Sequence, residues 1–290
     1  MVVKEEQEMN EVRWLWKKVL TKFGWHFFRL YNKVDRYIKD IIIYLTFFNQ
    51  YGGSGRLGPF KTFEEAMKYL EKYRNKFQRI GGWDVYLNKW GASLSIMHDY
   101  EYQVGFHLCN LINHINKPVR IFELGGTGTF YFKLKKRGVF DGKTITYQIC
   151  NLPEVIRKIK EIFPDLKDEV KFTSDILDAR GSDIFIAIQT IRCIENFFEI
   201  FSSLGDFPKY VIIAPEPVHE ELGSFVVLQN LDVDIMPHWV YNKKSILSFF
   251  NNLGYELIDE FRTKIEMIVP FYHKANLNYF SGLVLERRYD

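Results

Sequence analysis

The sequence contains few cysteines and lacks any long apolar run. Its three cysteines, Cys109, Cys150 and Cys193, lie far apart in a chain of 290 residues, without a CxxC pair or a cluster that has metal-ligand spacing. This pattern argues against a disulfide-stapled fold, and it predicts free thiols and no metal site. The longest apolar run, Ile41–Phe48, is far too short to span a bilayer.

A strong excess of charge of one sign is also missing. The 39 basic and 36 acidic residues give a formal net charge of +3, so the composition predicts no nucleic-acid partner. The basic run Lys133–Arg137 falls on a predicted helix and is expected to form a solvated face. The first residues are too polar and acidic for a secretory signal, so a cytoplasmic location is expected.

Apolar residues make up 47% of the chain and aromatic residues 17%, which is enough for a full core. Residues 1–50 predict an N-terminal helical extension, because large apolar residues recur there at helical spacing. Such a helix would pack on the main domain or on a second copy in a homo-oligomer. The alternation of Trp and Phe with basic residues also allows peripheral membrane contact through residues 14–48.

Residues 51–117 predict a helical cap region. A glycine-rich break at residues 51–59 precedes Thr62-Phe-Glu-Glu65, a capping box that predicts a helix to about Phe77. A second helix is expected from about Ser93 to Ile115, before Pro118.

Residues 118–290 predict an α/β domain with a mostly parallel sheet. Short apolar runs there alternate with amphipathic stretches, as in βαβ folds with helices on both faces of the sheet. The expected strands are Val119–Leu124, Lys143–Ile149, Val170–Phe172, Asp183–Ile188, Lys209–Ala214, Tyr255–Phe261 and Tyr279–Glu286. The expected helices are Phe130–Arg137, Leu152–Ile162, Ile194–Leu204 and Lys243–Leu253.

The first predicted strand runs into a glycine loop, which indicates a ligand site. Glycines let the backbone turn sharply and approach a ligand closely, and the helix that follows presents free N–H groups. A dinucleotide site wants a small residue where Tyr131 stands, so NAD is disfavoured. An acid two places before the first glycine fits S-adenosylmethionine better. The predicted cofactor-binding residues here are Glu123, Gly125, Gly126, Thr127 and Gly128.

Three further residues at strand ends are candidates for the same ligand. Asn151 follows the second strand, where a carboxylate usually takes the ribose hydroxyls. Asp175 follows the third strand and could read the adenine amino group, although a helix N-cap explains it equally well. Gln189 follows the fourth strand and would lie beside the methyl donor.

In these residues the sequence resembles a bacterial family of predicted S-adenosylmethionine-dependent methyltransferases, which are encoded among genes for surface-polysaccharide assembly. The resemblance covers roughly residues 50–286, and the order of its motifs is more specific than any single motif. The motifs are Tyr51-Gly-Gly, Thr62-Phe-Glu-Glu-Ala66, Ile121-Phe-Glu-Leu-Gly-Gly-Thr-Gly128, Tyr147-Gln-Ile-Cys-Asn-Leu-Pro153, Gln189–Ile194, Ala214-Pro-Glu-Pro217, Phe225-Val-Val-Leu-Gln229 and Tyr279-Phe-Ser-Gly282.

The resemblance implies the class I methyltransferase fold, a Rossmann-like sheet of seven mostly parallel strands with an antiparallel final strand. It also implies S-adenosylmethionine as cofactor, but it does not give the methyl acceptor. We expect O-methylation of a small molecule, sugar or glycan precursor. His238 and His219 are the candidate catalytic bases for a hydroxyl acceptor. The alternatives are a non-catalytic binding or scaffold subunit of this fold and, less favoured, a nicotinamide-dependent enzyme.

Overall fold

A computed structural model of the chain describes residues 33–35, 37–45, 47, 55–72, 96–231 and 234–288. The chain divides into two compact units, Met1–Thr46 and Phe47–Asp290. In the first unit, residues 37–45 are helical and expose Ile38, Ile42 and Leu45. Residues 1–32, 36, 46 and 48–50 of the predicted helical extension lie outside the described residues. Within the described ranges, no helix is long and apolar enough to cross a membrane.

The second unit is built on a seven-stranded sheet. Its strands are β2 (Val119–Leu124), β3 (Ile145–Cys150), β4 (Lys171–Thr173), β5 (Ile184–Ile188), β6 (Tyr210–Glu216), β10 (Tyr255–Thr263) and β11 (Phe280–Arg287). They lie in the order β10-β11-β6-β5-β2-β3-β4. β2 to β6 pair in parallel, whereas β11 is antiparallel to both of its neighbours. This topology is the class I methyltransferase fold, so the predicted fold is confirmed.

The central strands are apolar on both faces because helices cover both sides of the sheet. In β5, Ile184 and Ile186 belong to one buried cluster, whereas Phe185 and Ala187 belong to the other. Successive side chains of a strand point to opposite faces, so a continuous apolar run is what a doubly covered strand requires.

Seven helices are found in the described part of the second unit. They are α1 (Phe63–Glu71), α2 (Asp99–His114), α3 (Thr129–Lys135), α4 (Pro153–Ile162), α5 (Leu166–Glu169), α6 (Phe197–Ser202) and α7 (Lys243–Asn252). Thr62 caps α1 as predicted, since its hydroxyl accepts a hydrogen bond from the Glu65 N–H at 3.1 Å. The predicted end of this helix, near Phe77, lies outside the described residues.

A second sheet of four strands was not predicted from the sequence. Its strands are β1 (Leu57–Phe60), β7 (Val218–His219), β8 (Phe225–Asn230) and β9 (Ile235–Asn242), in the order β1-β8-β9-β7. β1 falls within the predicted helical cap region, at the end of the glycine-rich break that was expected at residues 51–59. It is a strand because Leu57 packs into a buried cluster with Val226 and Leu228 of β8, a contact distant in sequence. β7 follows β6 directly, which places this sheet near the carboxyl ends of the parallel strands.

The expectation that Lys133–Arg137 forms a solvated face is wrong at Lys133. The Lys133 ammonium is fully buried and lies 2.8 Å from both carboxylate oxygens of Glu101. Glu101 belongs to α2, which packs over the α3 side of the sheet, so a partner from another helix neutralises this lysine. Sequence periodicity alone does not show such a partner.

Candidate functional site

The loop between β2 and α3 requires glycine at two positions. Gly125 has a φ of +77° and Gly128 a φ of +81°, both in the left-handed region. Residues with a Cβ atom adopt this conformation only at a cost in free energy. The backbone can therefore turn sharply at residues 125–128 because glycine occupies these positions.

Close side-chain neighbours explain why the loop carries more than one glycine. A Cβ atom on Gly126 would lie 2.5 Å from Oε2 of Glu123, and one on Gly125 would lie 2.5 Å from Cγ2 of Thr190. Real Cβ atoms do not approach other atoms so closely. The loop is thus packed between the end of β2 and the turn that follows β5.

Glu123 lies behind the glycine loop and not in an open crevice. Its side chain is buried, and the Tyr147 hydroxyl donates a hydrogen bond to Oε2 at 3.0 Å. Burial raises the pKa of the Glu123 carboxyl to about 7, and the Tyr147 hydrogen bond opposes that rise. The Glu123 carboxyl therefore packs against the glycine loop at Gly126, on the side that faces the protein interior.

Asn151, at the end of β3, ties that strand to the glycine loop. Its side-chain Nδ2 donates to the carbonyl oxygen of Gly126 at 3.0 Å, and its Oδ1 accepts from the Leu152 N–H at 2.8 Å. A carboxylate at this position could not donate to the Gly126 carbonyl. This contact gives a physical reason for an amide where an acid was expected.

The remaining predicted cofactor residues lie at neighbouring strand ends. The exposed Asp175 caps the 3-10 turn Ile176–Ala179, since its carboxylate accepts from the Leu177 N–H at 2.8 Å. Thr127 is half-buried, and its hydroxyl lies 3.0 Å from that of Thr129. Gln189 is half-buried with a φ of +54°, an uncommon conformation for a residue other than glycine. Each functional role assigned to these residues stays a prediction.

A buried polar cluster lies where β5, β6 and β9 come together. It comprises Arg56, Arg192, Glu216 and His238, each at most 6% exposed. Arg192 Nη1 lies 3.6 Å from Glu216 Oε2, and Arg192 Nη2 donates to the Gln189 side-chain oxygen at 2.9 Å. Glu216 Oε1 accepts from the Ile191 N–H at 3.2 Å. The cluster connects the turn after β5 with the end of β6.

Three polar atoms of this cluster lack a hydrogen-bond partner among the described residues. They are Arg192 Nε, Glu216 Oε2 and His238 Nε2. A buried polar atom without a partner costs roughly 1–3 kcal/mol, so native structures rarely keep several of them together.

Burial shifts the pKa values of three groups in this cluster. It raises the pKa of Glu216 to about 7, against the attraction of Arg192, and it lowers the pKa of Arg56 to about 9, assisted by repulsion from Arg192. Burial also holds the pKa of His238 well below its usual range, and Arg192 and Arg56 lower it further. At neutral pH the imidazole is therefore uncharged, while the Arg56 guanidinium stays protonated.

The two candidate catalytic histidines occupy different environments. His238 lies on β9, opposite Val227 of β8. His219 uses both ring nitrogens, because Nδ1 accepts from the N–H groups of Glu221 and Leu222 and Nε2 lies 2.8 Å from the Lys274 carbonyl oxygen. His238 Nε2 has no hydrogen-bond partner among the described residues, whereas both ring nitrogens of His219 are engaged in organising its loop.

Sequence reasoning gave no role to Arg56, Tyr147 or Glu216, and it placed Arg192 beside the methyl donor only as the last residue of the segment that begins at Gln189. Arg192 and Glu216 do fall within motifs that carry the family resemblance, but a motif does not reveal which of its residues are buried. Across the described ranges, no group of three His, Cys, Asp or Glu residues is arranged to hold a metal ion.

No family model matches this chain, and no curated protein matches it. Among solved structures, it is similar to the [4+2]-cyclase SpnF, with 11% identity and a TM-score of 0.47 over 83% of this chain and 100% of that one. An S-adenosylmethionine-dependent methyltransferase from Mesorhizobium loti gives 10% identity and a TM-score of 0.43 over 64% and 97% of the two chains. The structure of LepI in complex with SAM gives 10% identity and a TM-score of 0.46. This match covers 77% of this chain and 55% of LepI. The class I methyltransferase fold is assigned from the order and direction of the strands in the seven-stranded sheet.

Proposed function

We propose that this chain binds S-adenosylmethionine at the glycine loop and transfers the methyl group to a small-molecule acceptor, with a hydroxyl of a sugar or glycan precursor as the expected target. The loop at residues 125–128 carries this proposal. The chain proceeds from β2 outwards to β3 and β4, then returns to β5 and β6 on the other side. Ligands of open α/β sheets bind at such a switch point, beyond the carboxyl ends of the strands.

The residues around the loop fit such a cofactor. The backbone of residues 125–128 turns sharply, Thr127 and Gln189 are half-buried beside it, and Asp175 is exposed at the end of β4. Leu152, which follows Asn151, exposes 53% of its surface, as an apolar residue would beside an adenine ring. Asn151 orients the loop through the Gly126 carbonyl instead of contacting a ribose.

The bound cofactor would supply a methyl group on a sulfonium sulfur: the acceptor oxygen forms the new C–O bond as the S–C bond breaks with its electron pair going to sulfur. We assign His238 Nε2 as the atom that takes the hydroxyl proton, because the imidazole is uncharged at neutral pH and Nε2 has no hydrogen-bond partner in the described part of the chain. His219 is the weaker candidate, since both of its ring nitrogens are engaged.

An assay of S-adenosylhomocysteine release, with S-adenosylmethionine and a panel of sugars, glycan precursors and small-molecule extracts, tests the transfer. We expect turnover with at least one acceptor, and we expect His238→Gln to lower the rate by roughly 10²-fold while cofactor binding is kept. The matched change His219→Gln should lower it less. Full activity in His238→Gln would remove the assigned role.

The alternative is a subunit of this fold that binds without transferring. It is favoured by Asn151, whose amide serves the loop, and by His238, which is only 2% exposed. Cofactor binding with no turnover over the whole acceptor panel would support this alternative against the enzyme.

A further inference from the structure

The Arg192 guanidinium is held from several sides at the end of the sheet. Its Nη1 donates to the Pro215 carbonyl oxygen at 3.4 Å and lies 3.6 Å from Oε2 of Glu216. Its Cζ lies 5.6 Å from the centroid of the Phe280 ring, and the side chain is only 7% exposed. Its Nη2 donates to the side-chain oxygen of Gln189 at 2.9 Å. Arg192 is therefore a fixed donor for Gln189, the residue that follows β5.

This contact decides which way the Gln189 amide points. An amide side chain has an acceptor end, the oxygen, and a donor end, the NH2 group, and the two ends have nearly the same shape. Because a guanidinium can only donate, the end that faces Arg192 must be the oxygen. The NH2 group is then turned away from Arg192, and within the described ranges it has no hydrogen-bond partner.

The backbone at Gln189 is also held in place, beside the glycine loop. Its φ is +54°, and a residue other than glycine keeps this left-handed conformation only where the surrounding structure imposes it. The Gln189 N–H donates to the Ala214 carbonyl oxygen of β6 at 3.2 Å. Thr190, the next residue, packs against Gly125. The Gln189 amide is therefore fixed at the edge of the proposed cofactor site, where the methyl donor is expected.

We propose that Gln189 donates its NH2 group to the carboxylate in the amino-acid portion of S-adenosylmethionine, and that Arg192 is the positioning residue that sets this orientation. The amino-acid portion offers a carboxylate, which accepts hydrogen bonds, and an ammonium, which only donates. Because the amide oxygen faces Arg192, Gln189 suits the carboxylate and not the ammonium. The Glu216 carboxylate lies beside Nη1, the other nitrogen of the guanidinium, where the charge of Arg192 opposes its own. The inference rests on the proposed function and deepens it by giving the amino-acid portion of the cofactor a partner.

Calorimetric titration with two ligands that differ in the carboxylate tests this contact. S-adenosylhomocysteine carries both the carboxylate and the ammonium, whereas S-adenosyl-3-thiopropylamine keeps the ammonium and lacks the carboxylate. We expect the wild type to bind S-adenosylhomocysteine at least about tenfold more tightly than the thiopropylamine. Equal affinities would overturn the proposal.

Gln189→Glu reverses the donor with little change in side-chain size. One carboxylate oxygen can still accept from Arg192, whereas the other would repel the carboxylate of the ligand. We expect the affinity for S-adenosylhomocysteine to fall roughly tenfold or more. The affinity for the thiopropylamine should stay the same or rise, because the new charge attracts its ammonium. An equal fall for both ligands would overturn the contact, since a general loss of structure gives that result.

Asn251→Asp is the matched control for the added charge. It makes the same amide-to-carboxylate change at an exposed position of α7. This helix leads into β10, which runs in the same direction as β6, so Asn251 lies at the end of the sheet opposite the glycine loop. The control should bind both ligands like the wild type.

Arg192→Lys tests the positioning role. It keeps the positive charge but replaces the planar guanidinium, whose separate nitrogens face Glu216 and Gln189, with a single ammonium. The Gln189 amide can then turn, so the preference for S-adenosylhomocysteine over the thiopropylamine should shrink several-fold. An unchanged preference would remove the positioning role of Arg192, and Gln189→Glu still decides the contact if this variant fails to fold.

The same titrations let this proposal and the proposed function fail separately. Unchanged S-adenosylhomocysteine binding in Gln189→Glu would overturn the carboxylate contact and leave the proposed methyl transfer standing. No binding of S-adenosylhomocysteine to folded wild type would remove both.

Discussion

The space that a side chain of Gly126 would occupy is already filled by the carboxyl group of Glu123. A Cβ atom at residue 126 would lie 2.5 Å from Oε2 and 2.8 Å from Oε1 of that carboxyl. The carboxyl cannot move freely, because it is buried and accepts a hydrogen bond from Tyr147. Glycine at residue 126 is therefore fixed by contact with the protein itself, and the conformation of the loop depends on Glu123.

Because its pKa is raised by burial, Glu123 should make the stability of the protein depend on pH. A carboxyl with a folded pKa of about 7, above its ordinary value of 4.5, binds more protons in the folded state than in the unfolded state between these two pH values. Its contribution to stability is then lost as the pH rises. We expect the wild type to lose about 2–3 kcal/mol more than Glu123→Gln between pH 5 and pH 8, a range set by about 1.4 kcal/mol per pKa unit.

Denaturant unfolding at several pH values measures this difference. Glutamine can still accept the Tyr147 hydrogen bond, so the variant should fold. Glu199→Gln, the same change at an exposed position of α6, is the matched surface control and should unfold close to the wild type. If the free energies of unfolding of the wild type and Glu123→Gln changed in parallel with pH, burial would not raise the pKa of this carboxyl.

The Lys133–Glu101 ion pair should be worth far more than surface pairs. Lys133→Met leaves the Glu101 carboxylate buried without its partner, and we expect a loss of about 3–5 kcal/mol in the free energy of unfolding. Adding Glu101→Gln removes that unpaired charge and should restore part of the loss. Equal stability of the single and double variants would contradict this explanation.

Arg157→Met is the surface comparison for this pair. Arg157 and Glu161 are 62% and 51% exposed and lie four residues apart on α4. Pairs of this kind contribute about 0.3–0.5 kcal/mol, so the variant should unfold close to the wild type.

Asn151→Asp should weaken the glycine loop, although an acid is the more usual residue at this strand end. The change removes the donor to the Gly126 carbonyl and brings a negative oxygen towards it. We expect about 1–3 kcal/mol of lost stability and a matching loss of S-adenosylhomocysteine affinity. Asn151→Ala removes the same bond without the charge and should lose less. Tighter binding in Asn151→Asp would show instead that the position contacts the ribose.

The main sheet could be predicted from the sequence because its strands are short apolar runs that alternate with amphipathic stretches. Val119–Leu124 matches its prediction residue for residue, and the other strands of this sheet differ at their ends by one to a few residues. Local pattern is sufficient here, since a parallel sheet covered on both faces selects continuous apolar strands.

The second sheet and the polar cluster could not be predicted, because both depend on contacts distant in sequence. β1 is a strand only through β8, more than 160 residues further along the chain. His238 is buried beside Arg192 and Arg56. These three residues come from three separate segments of the chain. Spacing along the sequence shows residue types, whereas burial and partnership follow from the assembled fold.

Cofactor binding at the glycine loop is tested most directly by calorimetric titration of S-adenosylhomocysteine into the wild type, Gly126→Ala and Gly223→Ala. The two variants add the same methyl group, but at Gly223 it meets no described atom within 4 Å, whereas at Gly126 it displaces the Glu123 carboxyl. We predict saturable binding to the wild type, unchanged binding to Gly223→Ala, and binding at least about tenfold weaker in Gly126→Ala. No binding to folded wild type, or equal binding in both variants, would contradict a cofactor site at this loop.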